Sequence, residues 1–310
     1  MNFDLSPEER ELQQGIRELC AKRFPIEHVR ETAGRIDRDD WEALAEAGVF
    51  DIVTPEENGG LGLGMTEAVV VFEELGRALV PGPLVATFLA GIVPGRIMSI
   101  VDRDARTIDY LGSLDAVVVV DGDGVWLVDA GSVTAIPVTE PLDPLVPRHT
   151  IEELAQGELI DDVDVVARWH LWGAVLTAAL QVGIAARCTE LAVAYAKERE
   201  QFGVPIGSFQ AVKHICADML VRTEVARAAV HAAGVMLDDR SAGDPARAAA
   251  AAKVVADEAA FRGGKDCVQV HGGMGFTWEV DVHLYLKRAA VLAQQFGTAS
   301  EHAEAMFGWL

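Results

Sequence analysis

Positive charge is scarce in this chain. Its 310 residues set 26 Lys and Arg against 48 Asp and Glu, a net charge of -22. A surface of that sign repels phosphates, which argues against nucleic acid or an anionic membrane as partner. It leaves room for a local basic pocket that takes a phosphorylated ligand. Cysteine is scarce too: Cys20, Cys188, Cys216 and Cys267 lie far apart, with no C-x-x-C spacing. That pattern speaks against a metal site or a disulfide and for reduced, mostly buried thiols. The opening stretch MNFDLSPEERELQQ lacks the basic and then apolar run of a secretory leader. One stretch, Trp169 to Ala186, has no Asp, Glu, Lys or Arg, but it holds His170 and Gln181 and runs into Arg187 and Glu190. It reads as the central helix of a bundle rather than a membrane span. The expected location is the cytoplasm.

What is present is ordinary for a globular protein: 50% hydrophobic and 24% charged residues, in a chain long enough for two or three domains. Ser6-Pro7-Glu8-Glu9 is a helix start, with a capping Ser, Pro at the first position and acids in the first turn. Leu12, Ile16, Leu19 and Phe24 continue it as an apolar stripe. Trp41 to Ala47 predicts a second helix and Thr66 to Leu79 a third, with a glycine-rich loop, Thr54 to Gly64, between them. No strand precedes those glycines, so the loop is not a phosphate-binding turn. The texture changes near Thr107. Ala116 to Ala130 reads AVVVVDGDGVWLVDA, two valine-rich runs around a hairpin turn. Helical periodicity returns at Asp164 and predicts helices over 165–202, 208–240, 244–271 and 281–294, and a short last one. The expected fold is mainly α: an N-terminal helical domain (1–106), a small, truncated β domain (107–163) and a C-terminal antiparallel four-helix bundle (164–310).

Two motifs carry candidate chemistry. Arg199, Gln201 and Phe202 sit where the first bundle helix ends, before a Gly203 that suits a left-handed cap, with Ser208 as the expected cap of the next helix and Gln210 just beyond. Gln269-Val-His-Gly-Gly-Met-Gly-Phe ends the third bundle helix. In an antiparallel bundle the first and third helices end at one pole. A guanidinium, amides and the bare backbone of Gly272 and Gly273 together suit a pyrophosphate and a nucleotide. Plain capping explains Arg199 equally well, since a cation there neutralises the helix end. Thr298 with Glu301 is a capping box. Trp278 reads as core, and His214 as a bundle or inter-subunit residue.

YAKEREQFGVPIGSFQAVKHICADM and VQVHGGMGFTWEVDVHLYLKRA closely resemble the acyl-CoA dehydrogenase family, and VTPEENGGLGLGMTEAVVVFEELGRAL resembles that family's first domain. The resemblance covers nearly the whole chain. It implies FAD as cofactor, α,β-dehydrogenation of an acyl-CoA thioester as reaction, and an electron-transfer flavoprotein as electron acceptor. It makes Arg199, Gln201, Phe202, Gln210, Gln269, Gly272 and Gly273 contacts to FAD held by a neighbouring subunit, and Thr298 a contact near the adenosine of the chain's own FAD.

The chain also departs from the family. The position that usually carries the catalytic base is Phe296, and the alternative position on the first bundle helix is Gly173. Neither takes a proton, and Glu301 and Glu304 read as ordinary members of the last helix. The stretch from Pro94 to Thr107 leads almost directly into late strands, and only Thr139-Glu140-Pro141 echoes the strands that hold the flavin ring. The expectation is a subunit without a base, completing the FAD site of a full-length acyl-CoA dehydrogenase homologue in an α2β2 assembly. Heteromers of this kind resemble those used on steroid-derived thioesters. The alternatives are a self-sufficient homo-oligomer with a relocated base, and a non-catalytic scaffold that binds CoA esters.

Overall fold

A computed structural model describes residues 5–91 and 96–308. Pro94 lies outside them. The chain begins with α1 (Pro7–Arg23), α2 (Ile26–Glu31), α3 (Arg38–Glu46), α4 (Met65–Arg77) and α5 (Leu84–Ala90). Seven strands follow: β1 (Met98–Asp102), β2 (Thr107–Asp109), β3 (Ala116–Asp121), β4 (Gly124–Asp129), β5 (Thr134–Pro137), β6 (Arg148–Glu153) and β7 (Glu158–Asp161). The remainder is α6 (Asp164–Glu198), β8 (Glu200–Gln201), β9 (Val204–Pro205), α7 (Gln210–Asp238), α8 (Pro245–His271), α9 (Val282–Leu292) and α10 (Ala299–Phe307). The expected helical region, β region and helical bundle are all there.

The chain divides into two compact units. One comprises residues 27–64 and 81–173 and carries the sheets. Its four-stranded sheet has the order β1-β3-β4-β7, and its three-stranded sheet the order β2-β6-β5. The β3–β4 hairpin turns at Gly122-Asp123, where the sequence places it, with Asp121 opposite Gly124. β1 runs parallel to β3, with Met98 opposite Ala116. It therefore falls inside the segment 1–106 that was expected to be helical. A five-residue stretch, Met-Ser-Ile-Val-Asp, has no telling period of its own, and this strand is defined by a partner 18 residues on. In the same unit Trp41 stacks on Phe50 at 4.6 Å, and Arg38 makes a two-pronged contact to Asp115 at 2.9 and 2.8 Å.

The other unit comprises residues 1–26, 65–80 and 174–310. Its core is α6, most of whose apolar window is buried (78%), which fits a bundle centre. Two glycines let α4 and α6 touch backbone to backbone. A Cβ added at Gly76 would lie 2.0 Å from the Leu180 carbonyl oxygen, and one at Gly183 1.9 Å from that of Glu73. The same crossing buries two consecutive carboxylates. Glu74 takes two hydrogen bonds from Arg17, at 2.9 and 2.6 Å. Glu73 accepts from Arg227 at 2.9 Å and meets His231 at 3.2 Å. The start of α4 has a cap that local sequence does not supply. Asp238, at the end of α7, accepts from the Met65 and Thr66 N–H groups and from the Thr66 hydroxyl, at 2.7, 2.9 and 2.7 Å.

Candidate cofactor-clamp site

The end of α6 is built differently from the expected helix cap. The helix stops at Glu198, and the Arg199 N–H closes its last turn on the Tyr195 carbonyl at 2.8 Å. The chain then makes a two-stranded hairpin, pairing Gln201 with Val204 and Glu200 with Pro205. Its turn residues, Phe202 and Gly203, have φ of 54° and 80°. Two successive positive φ values mark the tight turn that matches strand twist. Gly203 is thus a hairpin residue, not a helix cap. Phe202 holds a left-handed conformation that costs a non-glycine residue roughly 1–2 kcal/mol, while its side chain is 93% exposed. Gly207 lays the hairpin back on α6, since a Cβ there would come within 2.8 Å of the Ala196 carbonyl oxygen.

Ser208 does not cap α7. Its hydroxyl donates to the Pro205 carbonyl at 2.7 Å, and the cap position falls on Phe209, which makes no capping side-chain bond. The short turn Ile206–Ser208 uses the Ser before the helix begins.

At the end of α8, Gly272 takes φ of 62°. A Cβ at Gly272 or Gly273 would meet nothing within 4 Å, whereas one at Gly275 would lie 2.7 Å from the Val268 carbonyl oxygen. Gly275 is there for packing; Gly272 and Gly273 leave open backbone.

The two motifs do share a pole. Tyr195, one turn before Arg199, stacks on His271 with ring centroids 4.1 Å apart. His271 in turn donates from Nδ1 to the Cys267 carbonyl at 2.8 Å. The start of α7 joins them, because Arg222 pairs with Asp266 and the two helices run in opposite directions. Arg199, Gln201, Phe202, Gln210, Gln269, Gly272 and Gly273 are all exposed there. Gln201 spends its amide on the Glu200 carbonyl at 2.7 Å. Arg199, Gln210 and Gln269 have no side-chain partner among the described residues. Arg199, Gln210 and Gln269 are thus exposed donors near one pole of the bundle.

Thr298 lies elsewhere. It opens α10 with the expected capping box. The first turn of α10 acts on the charges of Lys253 and Asp257, 16 and 12 residues, or about 24 and 18 Å, back along α8 from Gln269. Phe296, just before that cap, has φ of 53° and accepts from His302 Nε2 at 2.9 Å through its carbonyl. Gly173 is buried in α6. Glu301 is bound by the Thr298 N–H and hydroxyl, at 2.7 and 2.9 Å, which holds its carboxyl below the usual range. Trp278 corrects the core expectation: it is 59% exposed, under the Lys287 ammonium at 4.8 Å and edge-on to His283. His214 is exposed.

Sequence reasoning did not single out the charged pair on α8. Lys253 is fully buried and contacts both Asp257 oxygens at 2.8 and 2.9 Å, with Gln181 donating to the same carboxylate. Burial pushes Asp257 up and Lys253 down. The signal was a Lys and an Asp four apart on one face of an alanine-rich helix.

Comparison with known proteins agrees with this architecture. Residues 6–98 match the acyl-CoA dehydrogenase N-terminal domain and residues 165–306 the C-terminal domain. The chain belongs to the acyl-CoA dehydrogenase family. It is 36% identical over 309 residues to the acyl-CoA dehydrogenase IpdE2 of Mycobacterium tuberculosis, covering 93% of each chain. Among solved structures, the Tcur3481-Tcur3483 steroid ACAD G363A variant superposes with a TM-score of 0.84 at 26% identity, over 97% of each chain. The ChsE4-ChsE5 complex from Mycobacterium tuberculosis has the same fold, with a TM-score of 0.84 at 24% identity over 99% of this chain and 98% of that one.

Proposed function

We propose that this chain is the subunit without a base in a heteromeric acyl-CoA dehydrogenase, and that its bundle pole completes an FAD site held by a full-length partner subunit. The single observation that carries this is the pole itself: Arg199, Gln210 and Gln269, exposed and unengaged, beside the open backbone of Gly272 and Gly273. A cation used only to neutralise its own helix end has no need of two free amides and two bare glycines around it.

Arg199 would take the pyrophosphate through its planar fork, and Gln210 and Gln269 would donate to the remaining oxygens. Phe202 offers an exposed ring to the adenine side, with Gln201 next to it, and Thr298 would lie near the adenosine of a second FAD. FAD, when bound, accepts the hydride as the acyl-CoA thioester is desaturated. The proton acceptor belongs to the partner, since Phe296 and Gly173 hold no proton-accepting side chain. An electron-transfer flavoprotein would then reoxidise the complex. The family names of IpdE2 and of the steroid ACAD support this class of enzyme, and the ChsE4-ChsE5 complex supports a two-chain assembly. We infer a steroid-derived acyl group, α2β2 stoichiometry and a cytoplasmic location on the same grounds.

Coexpression with a neighbouring full-length homologue tests the reading. This chain alone should purify colourless, and the complex yellow and active. A yellow, active homo-oligomer overturns the proposal in favour of a relocated base. A colourless chain that binds CoA esters without any partner makes it a scaffold instead. Within the complex, Arg199→Ala should weaken FAD retention by about ten- to a hundred-fold, the worth of one charge-assisted contact. Unchanged flavin occupancy would return Arg199 to helix capping.

A further inference from the structure

Three of the four cysteines, distant in sequence, meet in the bundle. α6 and α8 approach each other along a row of small residues. A Cβ added at Gly263 would lie 3.8 Å from the Cα of Ala185, so the two Cα atoms are within about 5.3 Å. One turn further along both helices, the side chains of Cys188 and Cys267 hydrogen-bond to each other. Beyond that, two turns further on α6 and one on α8, Tyr195 stacks on His271. The helices thus run side by side in the same direction, 185 near 263, 188 near 267 and 195 near 271. A disulfide needs Cα atoms about 4.4–6.8 Å apart, a spacing that the neighbouring turn meets. Both sulfurs are fully buried in this seam, and Cys216 lies half-buried beside Cys267.

The surroundings make the two thiols unequal. The hydrogen bond from Cys188 holds the Cys267 thiol below its ordinary value despite burial, with His271 Nδ1 3.9 Å from the sulfur. The same hydrogen bond and complete burial push Cys188 up. The His271 imidazole stands beside Cys267, and this placement makes Cys267 the nucleophile of the pair and Cys188 the proton donor.

We propose that Cys188 and Cys267 are an oxidation site, closed by hydrogen peroxide into a disulfide that staples α6 to α8 beneath the exposed polar turn. In the first step the Cys267 thiolate attacks one peroxide oxygen and the O–O bond breaks. Hydroxide leaves and takes up a proton, so Cys267 becomes a sulfenic acid. In the second step the Cys188 sulfur attacks the Cys267 sulfur; the S–O bond breaks and the hydroxyl departs as water with the Cys188 proton. The two thiols lose two electrons and two protons, and one peroxide becomes two waters. Burial of both sulfurs selects a small neutral oxidant over a bulky disulfide such as oxidised glutathione. The inference does not depend on the FAD reading.

The test treats the full chain with hydrogen peroxide or with oxidised glutathione, alkylates it under denaturing conditions and maps the peptides. Peroxide should give a reducible Cys188–Cys267 cross-link while Cys20 and Cys216 alkylate, and oxidised glutathione should give neither cross-link nor adduct. In Cys188→Ala the cross-link should vanish and dimedone should trap a sulfenic acid at Cys267. Cys216→Ala should cross-link like the wild type. Four alkylated cysteines after peroxide, a Cys216–Cys267 bridge, or a glutathione adduct at Cys267 would each overturn the proposal. Peptide mapping of the wild-type chain decides it even where a variant does not fold.

Discussion

The crossing of α4 over α6 and the pole at the far end of α6 treat charge in opposite ways. At the crossing every arginine is used: Arg17 and Arg77 bracket Glu74, Arg227 holds Glu73, and Arg77 also pairs with Glu190. Glu73 and Glu74 are buried there, and each is met by cations or a histidine, as a buried charge must be. At the pole Arg199 is exposed, between Glu198 and Glu200 in sequence, and makes no ion pair among the described residues. In a chain with a net charge of -22, an unclaimed arginine among free amides costs the fold nothing and stabilises nothing. The first arrangement is what stability requires; the second is what the proposed cofactor contact would use.

Four substitutions probe this contrast. The largest effect should come from Gly183→Ala. Its new methyl has no space, because the Glu73 carbonyl oxygen lies 1.9 Å from it. We expect a loss of at least about 3 kcal/mol, or no soluble chain at all, read by thermal melting. Glu73→Gln comes next. It leaves Arg227 short of its buried partner and should cost about 3 kcal/mol near neutral pH. Burial alone would raise the Glu73 pKa, but the His231 hydrogen bond and the Arg227 charge outweigh it and hold it down. A depressed carboxyl contributes stability above its unfolded pKa and loses it as pH falls through the folded value. The gap between wild type and Glu73→Gln should therefore close on acidification, in urea unfolding followed from pH 7 down to about 3. A gap that stays constant would mean that the charge is not the source.

Asp238→Ala should cost about 1–2 kcal/mol, because it removes the cap of α4 and leaves two N–H groups without a partner. Amide exchange should quicken at Met65 and Thr66 before it does elsewhere in α4. Arg199→Ala should change the stability of the isolated chain by less than about 0.5 kcal/mol. A clear loss would mean that Arg199 belongs with the arginines of the crossing. Set beside its expected effect on flavin retention, the silence of that variant is the sharpest form of the comparison.

Much of this was legible in the chain. Ser6-Pro7-Glu8-Glu9 and Thr298 with Glu301 cap helices as their patterns predict, because capping is settled within four residues. The β3–β4 hairpin follows from Gly and Asp between valine runs for the same reason. The site was legible as two motifs at one pole, since antiparallel connection alone brings the ends of the first and third helices together. The reading failed where the answer lay farther away. β1 reads as nothing until β3 lies beside it, and Trp278 looks like core until its exposure is known. Ser208 looks like a cap until the turn at Pro205 claims its hydroxyl.

The amino-acid sequence by itself determined the helix starts, the hairpin, the apolar central helix and the two polar turns, all consequences of side chains acting on their own stretch of backbone. Tertiary structure alone decided that Asp238 caps a helix 173 residues away, that Gly76 and Gly183 bring two backbones into contact, and that Cys188 lies against Cys267. The reason is physical. A contact between distant residues exists only once packing has chosen which faces meet, and periodicity names a face without naming its neighbour.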